Sequence, residues 1–123
     1  MDLRQFLKSL QYAARGMRHI YLHEQNIRVQ TLIAFFVLGF GYFFQLQQSE
    51  WIVILLLIAL VLILEVVNSV IEQFIDIVKP RYHIQVQVVK DMLAAMVLLA
   101  AITSIIIGSV IFLPHIIEVL AFR

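Results

Sequence analysis

Residues 64–78 read LEVVNSVIEQFIDIV, and they close an unbroken run of thirteen apolar residues, 52–64. Such a run, opened by Trp51, calls for a helix that crosses a membrane, where a span takes ~20 mostly apolar residues. Four polar side chains follow all the same: Glu65, Asn68, Glu72 and Asp76. At ~100° per residue they fall at about 0°, 300°, 340° and 20°, on one face less than a quarter of the helix wide, with Ser69 at its edge. A rise of ~1.5 Å per residue from Trp51 puts Glu65 ~21 Å into a ~30 Å hydrocarbon core. An ionisable group there costs on the order of 2.5–3.5 kcal/mol, so it faces protein or a wet cavity and is a functional candidate.

The rest of the chain agrees with a membrane setting. Its 123 residues suffice for one domain, 1–123, and the 63% hydrophobic content exceeds what a soluble domain of that size can bury. The mean hydropathy is +0.97. Absence of cysteine excludes disulfides, thiolate metal sites and a cysteine nucleophile. No basic cluster with interleaved aromatics supports a nucleic-acid partner. Three stretches are predicted to span: 27–44, 51–78 and 92–113, the last ended by Pro114. Before them, Leu3, Phe6, Leu7, Leu10, Ala13, Ala14, Met17, Ile20 and Tyr21 recur at helical spacing, with Arg4, Lys8, Gln11, Arg15 and Arg18 opposite. The N-terminal stretch lacks the apolar core and cleavage site of a signal peptide. It reads as an amphipathic helix, about 3–23, lying on an anionic membrane surface; the rival is a solvated helix packed on its own protein.

Eight of the nine Lys and Arg residues lie before or at the very start of the first predicted span or in the 79–91 connector; only Arg123 lies on the other side. This bias places the N-terminus and that connector in the cytoplasm and the C-terminus outside.

Glu65 and Glu72 close together repel, and carboxylates that must both stay ionised usually hold a hard cation. A proton or cation pathway and phosphoryl transfer at the membrane surface both fit. Glu24, Lys90 and Asp91 fall level with the inner interface, and carboxylates for metal with cations for phosphate make a phosphoryl-transfer set. A conduit needs polar groups continuing outward, which the apolar run 52–64 does not supply. His19 and His23 have metal-pair spacing without a third soft ligand and read as interfacial residues. His83 is a candidate nucleotide contact, and His115, after Pro114, reads as structural.

Three segments carry a family resemblance: FLKSLQYAARGMRHIYLHEQNIRVQ, LEVVNSVIEQFIDIVKPRYH and VVKDMLAA. In order and spacing they resemble the small prokaryotic diacylglycerol kinase/undecaprenol kinase family over nearly the whole chain. The resemblance implies an all-α membrane protein: an N-terminal amphipathic surface helix plus three transmembrane helices, in a homotrimeric bundle with active sites shared between subunits. It implies ATP as co-substrate with Mg²⁺, a membrane lipid alcohol as acceptor, and the bacterial inner membrane as location. Glu65 becomes the general base, Glu24 and Glu72 the Mg²⁺ and nucleotide ligands, and Asn68 a site-shaping partner. Tyr12, Asp76, Arg81, Tyr82, His83, Lys90 and Asp91 fall where the family contacts the nucleotide. Gln5, Leu93 and Met96 depart from the family pattern. Ala94, with the apolar stretches of the second and third spans, resembles the undecaprenol-type branch, so undecaprenol is the expected substrate and diacylglycerol the alternative. A non-catalytic relative of the same fold is the rival of another class.

Overall fold

Asp2 starts the first helix by accepting a hydrogen bond from the Arg4 amide at 3.2 Å, one of the orphan donors that every helix start must satisfy. The computed structural model describes residues 2–78 and 84–122. Their four helices are α1 (Leu3–His23), α2 (Gln25–Phe43), α3 (Gln48–Val78) and α4 (Ile84–Ala121). Among the described residues there is no strand. The last three helices are long and apolar enough to cross a membrane. Arg81, Tyr82 and His83 lie outside the described residues.

A single extended residue, Glu24 (φ −105°, ψ 114°), separates α1 from α2. Its amide still bonds to the Ile20 carbonyl at 2.8 Å. Ile20 and Ile27, buried on either side, hold the corner closed. The apolar face of α1 is not covered by this chain: Leu3, Phe6, Leu7, Leu10 and Met17 are all exposed, and Ile20 alone of the helix is buried. That favours the membrane-surface reading over a helix packed on its own subunit.

The α2–α3 turn is built tightly. Leu46 N–H bonds to Gly41 O at 3.1 Å and Gln45 N–H to Tyr42 O at 3.2 Å. This 6→1 and 5→2 pair is a Schellman motif with Gln45, φ 52°, in the left-handed position usually given to glycine. Glu50 then accepts from the Gln47 amide at 2.8 Å and caps α3. Gly41 is required by packing: a Cβ there would lie 2.9 Å from Trp51 Cη2. Gly41→Ala is therefore expected to destabilise the protein by on the order of 1–3 kcal/mol, read as a lower thermal midpoint in detergent. Gly39→Ala, whose Cβ meets nothing within 4 Å, should leave the midpoint unchanged or slightly raised.

α4 packs along α3, α3 also along α2, and α1 against α2. The pattern of burial is inverted relative to a soluble protein. Glu65, Asn68 and Ser69 are buried, while Leu55, Leu56, Ile63, Leu98, Leu99 and Ile105 are exposed. Apolar faces turned outward are what a bilayer requires.

The helix that carries the third predicted span extends beyond it at both ends. Helix begins at Ile84, so Lys90 and Asp91 sit in its second turn rather than at its start, and it continues to Ala121 through Pro114. Proline there removes the donor for the Val110 carbonyl, which inside a soluble helix costs ~3 kcal/mol. In an apolar setting the alternative, an unwound backbone, leaves more groups unsatisfied, so the helix persists. The segment beyond the proline is also anchored. His115 Nε2 donates to both Glu50 oxygens, at 3.1 and 3.2 Å, and its ring lies 6.3 Å from that of Phe44.

Candidate active site

The polar face of α3 organises the site because helix periodicity stacks Glu65, Asn68, Glu72 and Asp76 along one line. Glu65 is 4% exposed and Asn68 8%, Glu72 is half-buried and Asp76 exposed, so the face emerges gradually from the protein. Glu24, at the α1–α2 corner, and Glu72 both lie close enough to Glu65 for direct charge repulsion. Three carboxylates thus lie toward one end of the bundle.

Two carboxamides hold this cluster. Gln30 on α2 interacts with the Glu65 side chain, and Gln73 Nε2 donates to Glu24 Oε1 at 3.5 Å, tying the corner to α3. Neither residue stood out in the sequence. Gln30 carried a usable signal: a lone carboxamide inside an apolar span needs a polar partner. Gln73 carried none, since it lies off the stripe, and only the position of Glu24 in space reveals it. Asn68 Oδ1 is buried without a hydrogen-bond partner among the described residues, an acceptor left for a substrate or another subunit to satisfy.

Lys90 comes to the same face from α4. Its Nζ lies 2.6 Å from Asp76 Oδ1, with the lysine side chain 30% and the aspartate 62% exposed. Asp91 accepts from Gln87 Nε2 at 2.8 Å and is exposed. Tyr12 is not brought to the cluster. It is 64% exposed, with the Arg15 guanidinium 5.8 Å from its ring, and ~18 Å along α1 separate it from Glu24. His19 and His23 stack at 4.2 Å, and His23 Nδ1 donates to the His19 carbonyl at 2.8 Å, an arrangement within α1 itself.

No group of three or more His, Cys, Asp or Glu poised for a metal occurs among the described residues. A Mg²⁺ site does not need one. It takes one or two carboxylates and completes its shell with water and substrate phosphates, so the Glu24 and Glu72 pair fits that ion. The helices of one chain already bury Glu65, Asn68 and Ser69, so shielding from lipid asks for further subunits only at Glu72 and Asp76.

A buried carboxylate, two half-buried ones and a lysine paired with Asp76 at the end of a membrane bundle suit phosphate chemistry on a membrane-held alcohol. Sequence comparison points the same way. The prokaryotic diacylglycerol kinase family matches residues 11–112. The chain is 35% identical over 113 residues to the undecaprenol kinase of Bacillus subtilis (strain 168), covering 92% of each. It is 31% identical over 115 residues to a diacylglycerol kinase of Synechocystis, covering 93% of this chain and 66% of that protein. To the diacylglycerol kinase of Escherichia coli (strain K12) it is 25% identical over 109 residues, 89% of each.

Proposed function

Because this chain belongs to the prokaryotic diacylglycerol kinase family, we propose that it moves the γ-phosphoryl group of ATP to the hydroxyl of a membrane lipid alcohol, undecaprenol before diacylglycerol. Membership makes it a multi-pass membrane lipid kinase with ATP as co-substrate. The observation that carries the mechanism is the burial of Glu65, 4% exposed, on a helix that otherwise turns apolar residues outward. A carboxylate at that depth meets a hydroxyl that cannot leave the membrane.

Glu65 takes the hydroxyl proton as the lipid oxygen bonds to the γ-phosphorus and the bond to the β–γ bridging oxygen breaks, leaving ADP. Lys90 exchanges Asp76 for the γ-phosphate oxygens and balances their charge. Asn68, one turn along α3 from Glu65, shapes the same pocket, and Asp91, Asp76, Arg81, Tyr82 and His83 border the nucleotide. Glu24 and Glu72 would hold Mg²⁺, which when bound neutralises phosphate charge. Replacing either by Gln is expected to raise the Mg²⁺ concentration for half-maximal rate by on the order of tenfold or more, without altering lipid KM. Unchanged Mg²⁺ dependence in both variants would remove the pair from that role.

Tyr12 supports a homotrimer with shared sites. At ~18 Å from Glu24 along α1 it cannot hold the same phosphates as its own subunit's Glu24, but it can reach those of a neighbour. The distribution of Lys and Arg supports an inner-membrane orientation with the N-terminus cytoplasmic, where ATP is, and the C-terminus outside. The preference for undecaprenol rests on the higher identity to the Bacillus subtilis enzyme.

The test is transfer from labelled ATP, with Mg²⁺, to undecaprenol and to diacylglycerol by purified protein. Faster transfer to undecaprenol supports the reading, and faster transfer to diacylglycerol exchanges the two acceptors. Folded protein that phosphorylates neither refutes it.

A further inference from the structure

Between α2, α3 and α4 runs a partly open cavity of about 490 Å³, whose lining includes Gln30, Ala34, Leu62, Gly108, Phe112 and Ile116. Its lining is almost wholly hydrocarbon. The two hydroxyls on its α4 side are already spent on their own helix, Ser104 on Ala100 O at 2.8 Å and Ser109 on Ile105 O at 2.7 Å. A space with so few free polar partners does not hold ordered water. At one end sits Gln30, whose carboxamide interacts with Glu65. The occupant this chemistry suits is an apolar chain with one polar end, placed at Glu65.

Gly108 sharpens the point. A Cβ there would meet nothing within 4 Å, so packing between the helices of this chain does not require glycine at this position. What its missing side chain provides is width in the cavity, ~10 Å along α4 from Ala101, the first lining residue of that helix.

We propose that the cavity between α2, α3 and α4 takes the part of the hydrocarbon tail nearest the hydroxyl of the lipid alcohol held at Glu65, and that Gly108 lets a long tail pass on into the membrane. The proposal rests on the lipid kinase reading above and adds a residue that determines specificity. A leucine at position 108, whose Cβ meets nothing within 4 Å, narrows the cavity and stops a long tail part way. A two-isoprene prenol ends before that point and is indifferent to it.

The experiment compares wild type, Gly108→Leu and Gly39→Leu as full-length protein in mixed micelles with Mg·ATP, using undecaprenol and the two-isoprene prenol as acceptors. Gly39 is likewise uncrowded but does not line the cavity. Gly108→Leu should raise KM for undecaprenol by roughly tenfold or more, the scale of discrimination in apolar pockets, and leave kcat/KM for the short prenol nearly unchanged. Gly39→Leu should alter neither. Equal effects of Gly108→Leu on both acceptors, or none on either, overturn the proposal. An equal loss accompanied by a changed oligomer size on gel filtration assigns the cavity to a second copy instead. Wild-type protein that phosphorylates neither prenol nor diacylglycerol removes the kinase reading itself, an outcome distinct from the other three.

Discussion

Glu65→Gln is expected to lower the rate of phosphoryl transfer by about 10²- to 10⁴-fold, the range for loss of a general base, while the protein folds as before. The substitution keeps shape and size, which matters at a position 4% exposed. It also removes a buried charge and its repulsion from Glu24 and Glu72. A buried carboxylate without a cationic partner destabilises a fold, so the thermal midpoint in detergent should stay level or rise. Loss of activity together with a stable or higher midpoint separates a chemical role from a structural one. Activity within twofold of wild type would end the assignment of Glu65 as base, and a collapse of the midpoint would mean that the carboxylate holds the bundle together.

The second large effect is expected at Lys90. Removing one preorganised donor to a reacting oxyanion costs ~10²–10³ in rate, and Lys90→Ala should lose that much in kcat/KM for ATP with the lipid KM unchanged. The fold should not suffer. Ion pairs exposed to this degree, 30% at the lysine and 62% at Asp76, contribute ~1 kcal/mol or less. Asp76→Asn, which releases Lys90 without removing it, should have a far smaller kinetic effect. Equal losses in the two variants would show that the pair matters only as a bridge between α3 and α4. A defect confined to lipid KM would place Lys90 on the acceptor side.

Periodicity made much of this legible in advance. The apolar recurrence of α1 located a helix at Leu3–His23, and the run before Glu65 located α3 almost to its ends. The alignment of Glu65, Asn68, Glu72 and Asp76 is likewise a property of one helix, readable without neighbours. Pro114 misled because its cost is judged against water, and apolar surroundings change the comparison. The 79–91 connector misled because its polar residues hide a helical start at Ile84. Gln30, Gln73 and the Glu50–His115 contact were invisible for a different reason. Each depends on what another helix brings alongside, and no local spacing encodes that.

The long rigid rise of α3 ties the chemistry to the thickness of the membrane. Trp51 packs against Gly41 at one end of the helix, and Glu65 follows ~21 Å later with no glycine or proline between them. If Trp51 stays at its interface, a ~30 Å core leaves Glu65 ~9 Å short of the opposite headgroups. Thinning the hydrocarbon by ~3 Å, the scale that separates cellular membranes, removes a third of that gap. Acyl-chain length of the surrounding lipids then acts as a control on the rate, because it fixes how far a phosphate from the aqueous side must descend to meet the hydroxyl.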